Sequence, residues 1–369
     1  MVIVSQLLLY LCLSLLMGMM TAGAMPRGCM PKFRVPKWLM IAAAAGVIVF
    51  GAVPVFSIIM NMAGNLSFAG AFGQVLFGFN AGRAWLVMYL ISIVFIAFFA
   101  FDMMEGRAMA RGGVVLMVAV AVAQSFAGHA FEQAGLWGVT VHAVHLISVM
   151  VWSGLLMILG WFTCGRVKWT AVLSWFTPFA LISIIVLAVS GVFISDVVTA
   201  GQGAGVSIFR RLADSLLTDY GQSLLFKQLL LAAVLGFGII NGILYRAKLR
   251  LDPDLEIRPW IRAESFIVLM ILAVTAFMGE QPIPSRLDTV IGRDGVSPLF
   301  AAVHGAGAPA GTGVSFGFDA IGVLLILFAA VFFGFMLYAA RMRMHAVLPF
   351  AMAMCFVASA YLGMMLSVV

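Results

Sequence analysis

Residues 136–162, LWGVTVHAVHLISVMVWSGLLMILGWF, contain no Lys, Arg, Asp or Glu. At 1.5 Å per residue a helix of this length crosses the roughly 30 Å hydrocarbon layer of a bilayer. The run nevertheless carries His142 and His145, and His129 lies just before it, so three of the five histidines share one short stretch. A polar ring in hydrocarbon costs a few kcal/mol unless something pairs with it. These histidines therefore mark a candidate site, and a metal ion is the natural partner for a cluster of imidazoles.

The rest of the chain is of the same kind. With 64% apolar and only 9% charged residues, too little polar surface exists to clothe a water-soluble globule. Ten apolar runs are expected to span a membrane, at about 3–24, 38–62, 84–101, 112–128, 136–162, 171–195, 222–245, 264–281, 319–340 and 346–369. They must be helices, because open strands leave backbone groups unsatisfied in lipid. The expected fold is an all-α polytopic membrane protein. It forms one membrane domain, read as a three-span region 1–111, a five-span core 112–284, and a 285–369 segment with an external loop and two further spans.

Lys and Arg distribution gives the orientation. With both termini outside, fifteen of the 21 basic residues fall on the cytoplasmic side, from Arg27, Lys32, Arg34 and Lys37 to Arg341 and Arg343. The net charge of +7 thus reflects topology and makes no case for nucleic acid. The first run ends in Ala22, Gly23 and Ala24 but has no positive segment before it, so it reads as a span and not as a cleaved leader. The Gly-rich stretches 63–82 and 292–317 read as external loops packed over the outer face.

His142 and His145 are three apart and share one helical face, which Trp152 continues. His129 is expected to end span four on the same outer side, close enough for the three rings to share one ion in the outer leaflet. Neutral imidazole suits copper, zinc, iron and nickel, and thioether sulfur selects Cu(I). The chain has 25 Met; Met60, Met62, Met278, Met364 and Met365 end spans on the outer side, and each reads as a ligand or as apolar filler. Glu280 is the candidate carboxylate at a metal entrance. Asp196 ends span six, and Lys227 either snorkels to the surface or faces inward as counter-charge to Asp196 or Glu280. Asp319 reads as a helix N-cap, His304 as a loop histidine that is solvated or captures metal, and His345 as interfacial.

Cys12, Cys29, Cys164 and Cys355 lie far apart, with no CxxC spacing, and form neither a disulfide framework nor a zinc site. Cys29 and Cys164 fall at the cytoplasmic ends of spans one and five. They read as ordinary reduced thiols, or as groups able to receive a soft ion.

SFAGHAFEQAG followed by VHAVHLISVMVWSGLL resembles the hallmark of the CopD family, copper resistance protein D, through Gly128, His129, His145, Trp152 and Gly154. TDYGQSLLFKQLLL is similar to that family's Thr-x-Tyr-Gly and Lys pattern through Thr218, Tyr220, Gly221 and Lys227, and Asn241, Glu264, Pro282 and Pro284 also fit. The resemblance runs from about Ala127 to Pro284. It implies a bacterial inner-membrane protein that handles copper ions, often beside a periplasmic CopC-type copper-binding protein. Family members are commonly drawn with eight spans, against ten counted here, and His142 has no counterpart in the pattern.

Three readings follow. The first is a copper permease taking Cu(I) or Cu(II) from the periplasm through an outer-leaflet site of His129, His142, His145, Glu280 and Met278, supported by Trp152, Tyr220, Lys227 and Asp196, into a Met-lined path. No enzymatic activity is expected; no Walker loop is present to use ATP, so the ion gradient and the membrane potential, about 2.3 kcal/mol per charge per 100 mV, would drive movement. The second is a haem-b electron carrier, since intramembrane histidines also ligate haem. The third is a copper chaperone or assembly factor that presents metal without transporting it.

Overall fold

The charge-free run that opened the sequence reading lies within a 34-residue helical span, His129–Phe162, one of ten helices long and apolar enough to cross a membrane. The computed structural model describes all residues except 27, 104–105, 203–204, 306–312 and 369, so Arg27 and part of the Gly-rich 292–317 stretch lie outside the described residues. The helices are α1 (Val2–Ala24), α2 (Lys37–Met62), α3 (Phe68–Gly78), α4 (Asn80–Ala100), α5 (Arg107–Phe126), α6 (His129–Met157), α7 (Trp169–Thr199), α8 (Ile208–Ser215), α9 (Asp219–Ile239), α10 (Arg246–Leu251), α11 (Arg258–Met278), α12 (Leu287–Asp294), α13 (Pro298–His304), α14 (Ala320–Arg341) and α15 (Val347–Leu366). Among the described residues there is no strand, only two isolated bridges. The membrane-crossing set comprises α1, α2, α4, α5, α6, α7, α9, α11, α14 and α15, as the apolar runs require.

The chain divides into two compact units, Met1–Ile194 and Ser195–Val369. The boundary falls within the segment read from the sequence as the 112–284 core. In the first unit α1 packs against α2, α5 and α6. Its approach to α6 is backbone on backbone. A Cβ built on Gly18 would overlap the backbone of Gly154, and one built on Gly154 would overlap Gly18 and the Ser14 carbonyl. Beside this contact Ser153 Oγ donates to Ser14 Oγ at 2.8 Å. Small residues and a buried hydroxyl pair are what helix association in lipid rewards, because lipid tails are as apolar as leucine and only close packing separates right from wrong partners.

The segments read as outer loops are partly helical. In the 63–82 stretch, α3 starts at Ser67, whose side chain accepts from Gly70 N, and buries Ala71, Val75 and Leu76 against Val55 and Ile59 of α2. Gly82 lets the α3–α4 corner close, since a Cβ there would meet the Val75 carbonyl. This corrects the expectation of a loop throughout 63–82.

The second unit is held by polar contacts at one end. Thr218 caps α9 by accepting from Gly221 N, and Gly221 leaves room for the Ser215 carbonyl, which accounts for the Thr-x-Tyr-Gly spacing. Gln222 Nε2 donates to the Leu216 carbonyl at 2.6 Å, and Tyr361 donates to Gln222 Oε1 at 2.6 Å. His304 ends α13 instead of lying in a loop, and it is exposed, as the solvated reading has it; its ring tilts against Phe300 at 4.7 Å and donates from Nε2 to the Met365 carbonyl at 2.8 Å. His304→Ala is expected to cost about 1 kcal/mol of stability, the usual net worth of one hydrogen bond, read as a lower thermal midpoint with copper uptake unchanged. Asp319 caps α14 by accepting from Gly322 N, as read. At the other end Lys248 Nζ donates to the carbonyls of Ala340 and Arg341 at 2.7 and 2.8 Å, a cation on the carbonyl end of α14 where the helix dipole favours it.

Candidate functional site

His129 does not end span four. It is the first residue of α6, after the N-cap Gly128. Gly135 (φ 56°, ψ −137°) breaks the helix six residues on, a conformation in which only glycine avoids strain. The break folds 128–134 back along the helix that follows. A Cβ built on Gly138 would overlap the Ala130 carbonyl, and one built on Gly128 would come within 2.9 Å of His142 Cε1 and Nδ1. Gly128 thus lies against the His142 ring, and His129 is its immediate chain neighbour, one Cα step of about 3.8 Å away. The His129 imidazole is itself exposed and lies 3.4 Å from Glu132 Oε2. Gly128→Ala is expected to cost about 1–2 kcal/mol through overpacking against His142, measured by unfolding in detergent, whereas Gly112→Ala, where the added Cβ meets nothing, should cost nothing.

His145 points to α7. Its Nδ1 lies 2.9 Å from Ser190 Oγ, and Ser190 donates to the Val186 carbonyl at 2.6 Å. With the hydroxyl proton used on Val186, the serine oxygen accepts from His145 Nδ1–H, which leaves the ring's lone pair on Nε2. Ser190 is the residue that sequence reasoning missed. A serine in an apolar helix, 45 positions from its histidine, gave no local signal. Such an orienting hydrogen bond on the far nitrogen is what metal-ligating histidines commonly have. Trp137 packs edge-on to Phe193 at 5.9 Å, a second contact holding α7 to α6.

Among the described residues no three His, Cys, Asp or Glu side chains form a group able to hold one metal ion. The fold brings Gly128, and with it the start of α6, to His142, and sets His145 toward Ser190. Trp152 is buried, and its indole Nε1 has no hydrogen-bond partner among the described residues.

The second unit holds the remaining candidates. Asp196 pairs with Arg211, which also donates to the Asp196 carbonyl at 3.3 Å, so of the alternatives read for Lys227 the pairing with Asp196 is already taken by Arg211. Lys227 is half-buried on α9. Met278 ends α11, and Glu280 stands exposed in the turn beyond it. Tyr220 is buried in the first turn of α9. Met365 is fully buried in the apolar cluster of this unit, packed with Leu217 and Tyr361, and its sulfur accepts from Gln222 Nε2 at 3.5 Å. In the first unit Met60 is 63% exposed, on the outer surface of the helix set. Asn241, in the π-helical turn Ile240–Tyr245 that follows α9, donates from Nδ2 to Glu264 Oε2 at 2.8 Å, with both side chains buried.

Ten apolar helices, one of them with a histidine bonded to a serine of its neighbour in its interior, define a multi-pass membrane protein. Residues 170–278 match the model of the CopD family, copper resistance protein D. The matched segment is less than a third of the chain; it includes Thr218, Tyr220, Gly221, Lys227, Asn241, Glu264 and Met278, while His129, His142, His145 and Trp152 precede it. No curated protein and no solved structure gave a match.

Proposed function

We propose that the protein is a copper permease of a bacterial inner membrane, with both termini outside, that takes copper ions from the periplasm into the cytoplasm. The observation that carries this reading is His145, held by Ser190 through Nδ1 inside an otherwise apolar helix pair, in a chain whose 170–278 segment matches copper resistance protein D. His129 and His142 lie at the outer end of the first unit and meet the ion first; His145, one turn deeper than His142, takes it next. Met278 and Glu280 are the entrance ligands of the second unit, with Tyr220, Lys227 and Asp196 in supporting places and Trp152 beside the path. A CopC-type periplasmic protein would deliver the ion.

Buried thioethers support a path below the histidines. Met150 on α6, Met17 and Met20 on α1, and Met117 on α5 are all fully buried in the first unit. Thioethers and few imidazoles bind a soft ion loosely enough to release it, as conduction requires. The test is uptake of isotopic copper into proteoliposomes holding the purified protein, compared with protein-free vesicles. Uptake above the control supports the reading. Absence of uptake, or a Soret band in the purified protein, would sink it.

A further inference from the structure

The two cysteines that span ends left apart in sequence share one pocket. A cavity of about 470 Å³ is lined by Cys29 and Met30 from the α1–α2 connection and by Cys164, Arg166 and Lys168 from the α6–α7 connection, with Lys32 beside them. The two connections are stitched by backbone: Arg34 N donates to the Phe162 carbonyl at 2.9 Å and Cys164 N to the Lys32 carbonyl at 2.9 Å, around a bridge between Phe33 and Thr163. Trp175 Nε1 holds the Cys29 carbonyl at 2.7 Å. The thiol-bearing loops are therefore fixed toward a common space. Both thiols are unoxidised, Cys29 half-buried and Cys164 exposed.

We propose that Cys29 and Cys164, with the Met30 thioether, form a Cu(I)-binding site at the end of the first unit opposite the histidines. Two thiols and a thioether are soft ligands in the low number that Cu(I) accepts, whereas a structural zinc site needs four. Binding balances as Cu⁺ replacing the two thiol protons, giving a bis-thiolate complex of charge −1 and two released protons. Lys32, Arg166 and Lys168 offset that charge. Along α6 the end at Met157 lies about 18 Å from His145 at 1.5 Å per residue, and Cys164 lies beyond that end, so the pocket is the exit counterpart of the histidine entrance. Only this assignment as an exit rests on the permease reading; binding itself does not.

The test uses the full-length, reduced, metal-free protein in detergent. Ag(I), a redox-inert stand-in for Cu(I), is added before alkylation, and labelling is mapped by mass on each cysteine. Ag(I) should slow labelling of Cys29 and Cys164 together at least tenfold, and leave Cys12 and Cys355 unchanged. In Cu(I) titration against a chromogenic chelator, C29S, C164S and the double variant should each lose the same one equivalent. Unprotected thiols in the wild type, or an unchanged equivalence in the double variant, would overturn the site. A protein that binds Cu(I) here yet fails to take up copper overturns the permease alone; uptake with the pocket unprotected overturns only the pocket.

Discussion

His145→Ala is expected to abolish copper uptake into proteoliposomes, a fall of about 100-fold, and Ser190→Ala to lower it about tenfold, because loss of an orienting partner typically costs 10–100-fold in metal affinity. The graded pair matters more than either variant alone. Ser190 touches no ion in this reading; it fixes which nitrogen of His145 carries the proton. Replacing it should leave the helices in place and raise the copper concentration needed for half-maximal uptake. His304→Ala serves as the contrast, since that ring is spent on the Met365 carbonyl. Equal uptake losses in His145→Ala and His304→Ala would remove His145 from the path.

Gly154→Leu should produce the largest loss of stability. The α1–α6 crossing has no side chain between the backbones at Gly18 and Gly154, so a leucine must push the helices apart or turn off its rotamer. Overpacking costs about 1–3 kcal/mol where neighbours can yield, and here the neighbour is main chain, so about 3 kcal/mol or more is expected. Separation would also cost the Ser153–Ser14 hydrogen bond. Gly112→Leu, whose site is open, should change stability by less than about 0.5 kcal/mol. Denaturant titration of both variants in the same detergent checks the difference.

The membrane-crossing helices were legible because hydrocarbon permits little else: a charge-free run of some twenty residues has one stable form there. The short helices were not, since Gly-rich or mixed-charge stretches carry no such compulsion, although three of the five had a readable start in a serine cap, Ser67 for α3, Ser207 for α8 and Ser297 for α13. His129 was placed on the wrong helix because its cap is Gly128, the weakest of the capping residues as a sequence signal. Arg211 was not among the cations considered for Asp196 because it reaches it from α8, a helix the periodicity did not reveal. Ser190 beside His145, and Cys164 beside Cys29, are products of packing between remote segments, which spacing along the chain cannot report.

The reversal at Gly135 makes His129 and His142 members of mechanically distinct pieces, a short folded-back turn and the long rod that crosses the bilayer. An ion held by both would act as a clasp between them. On the permease proposed above, opening that clasp would ask nothing of the rod, so the doorway would exchange its cargo while the wall behind it stood still.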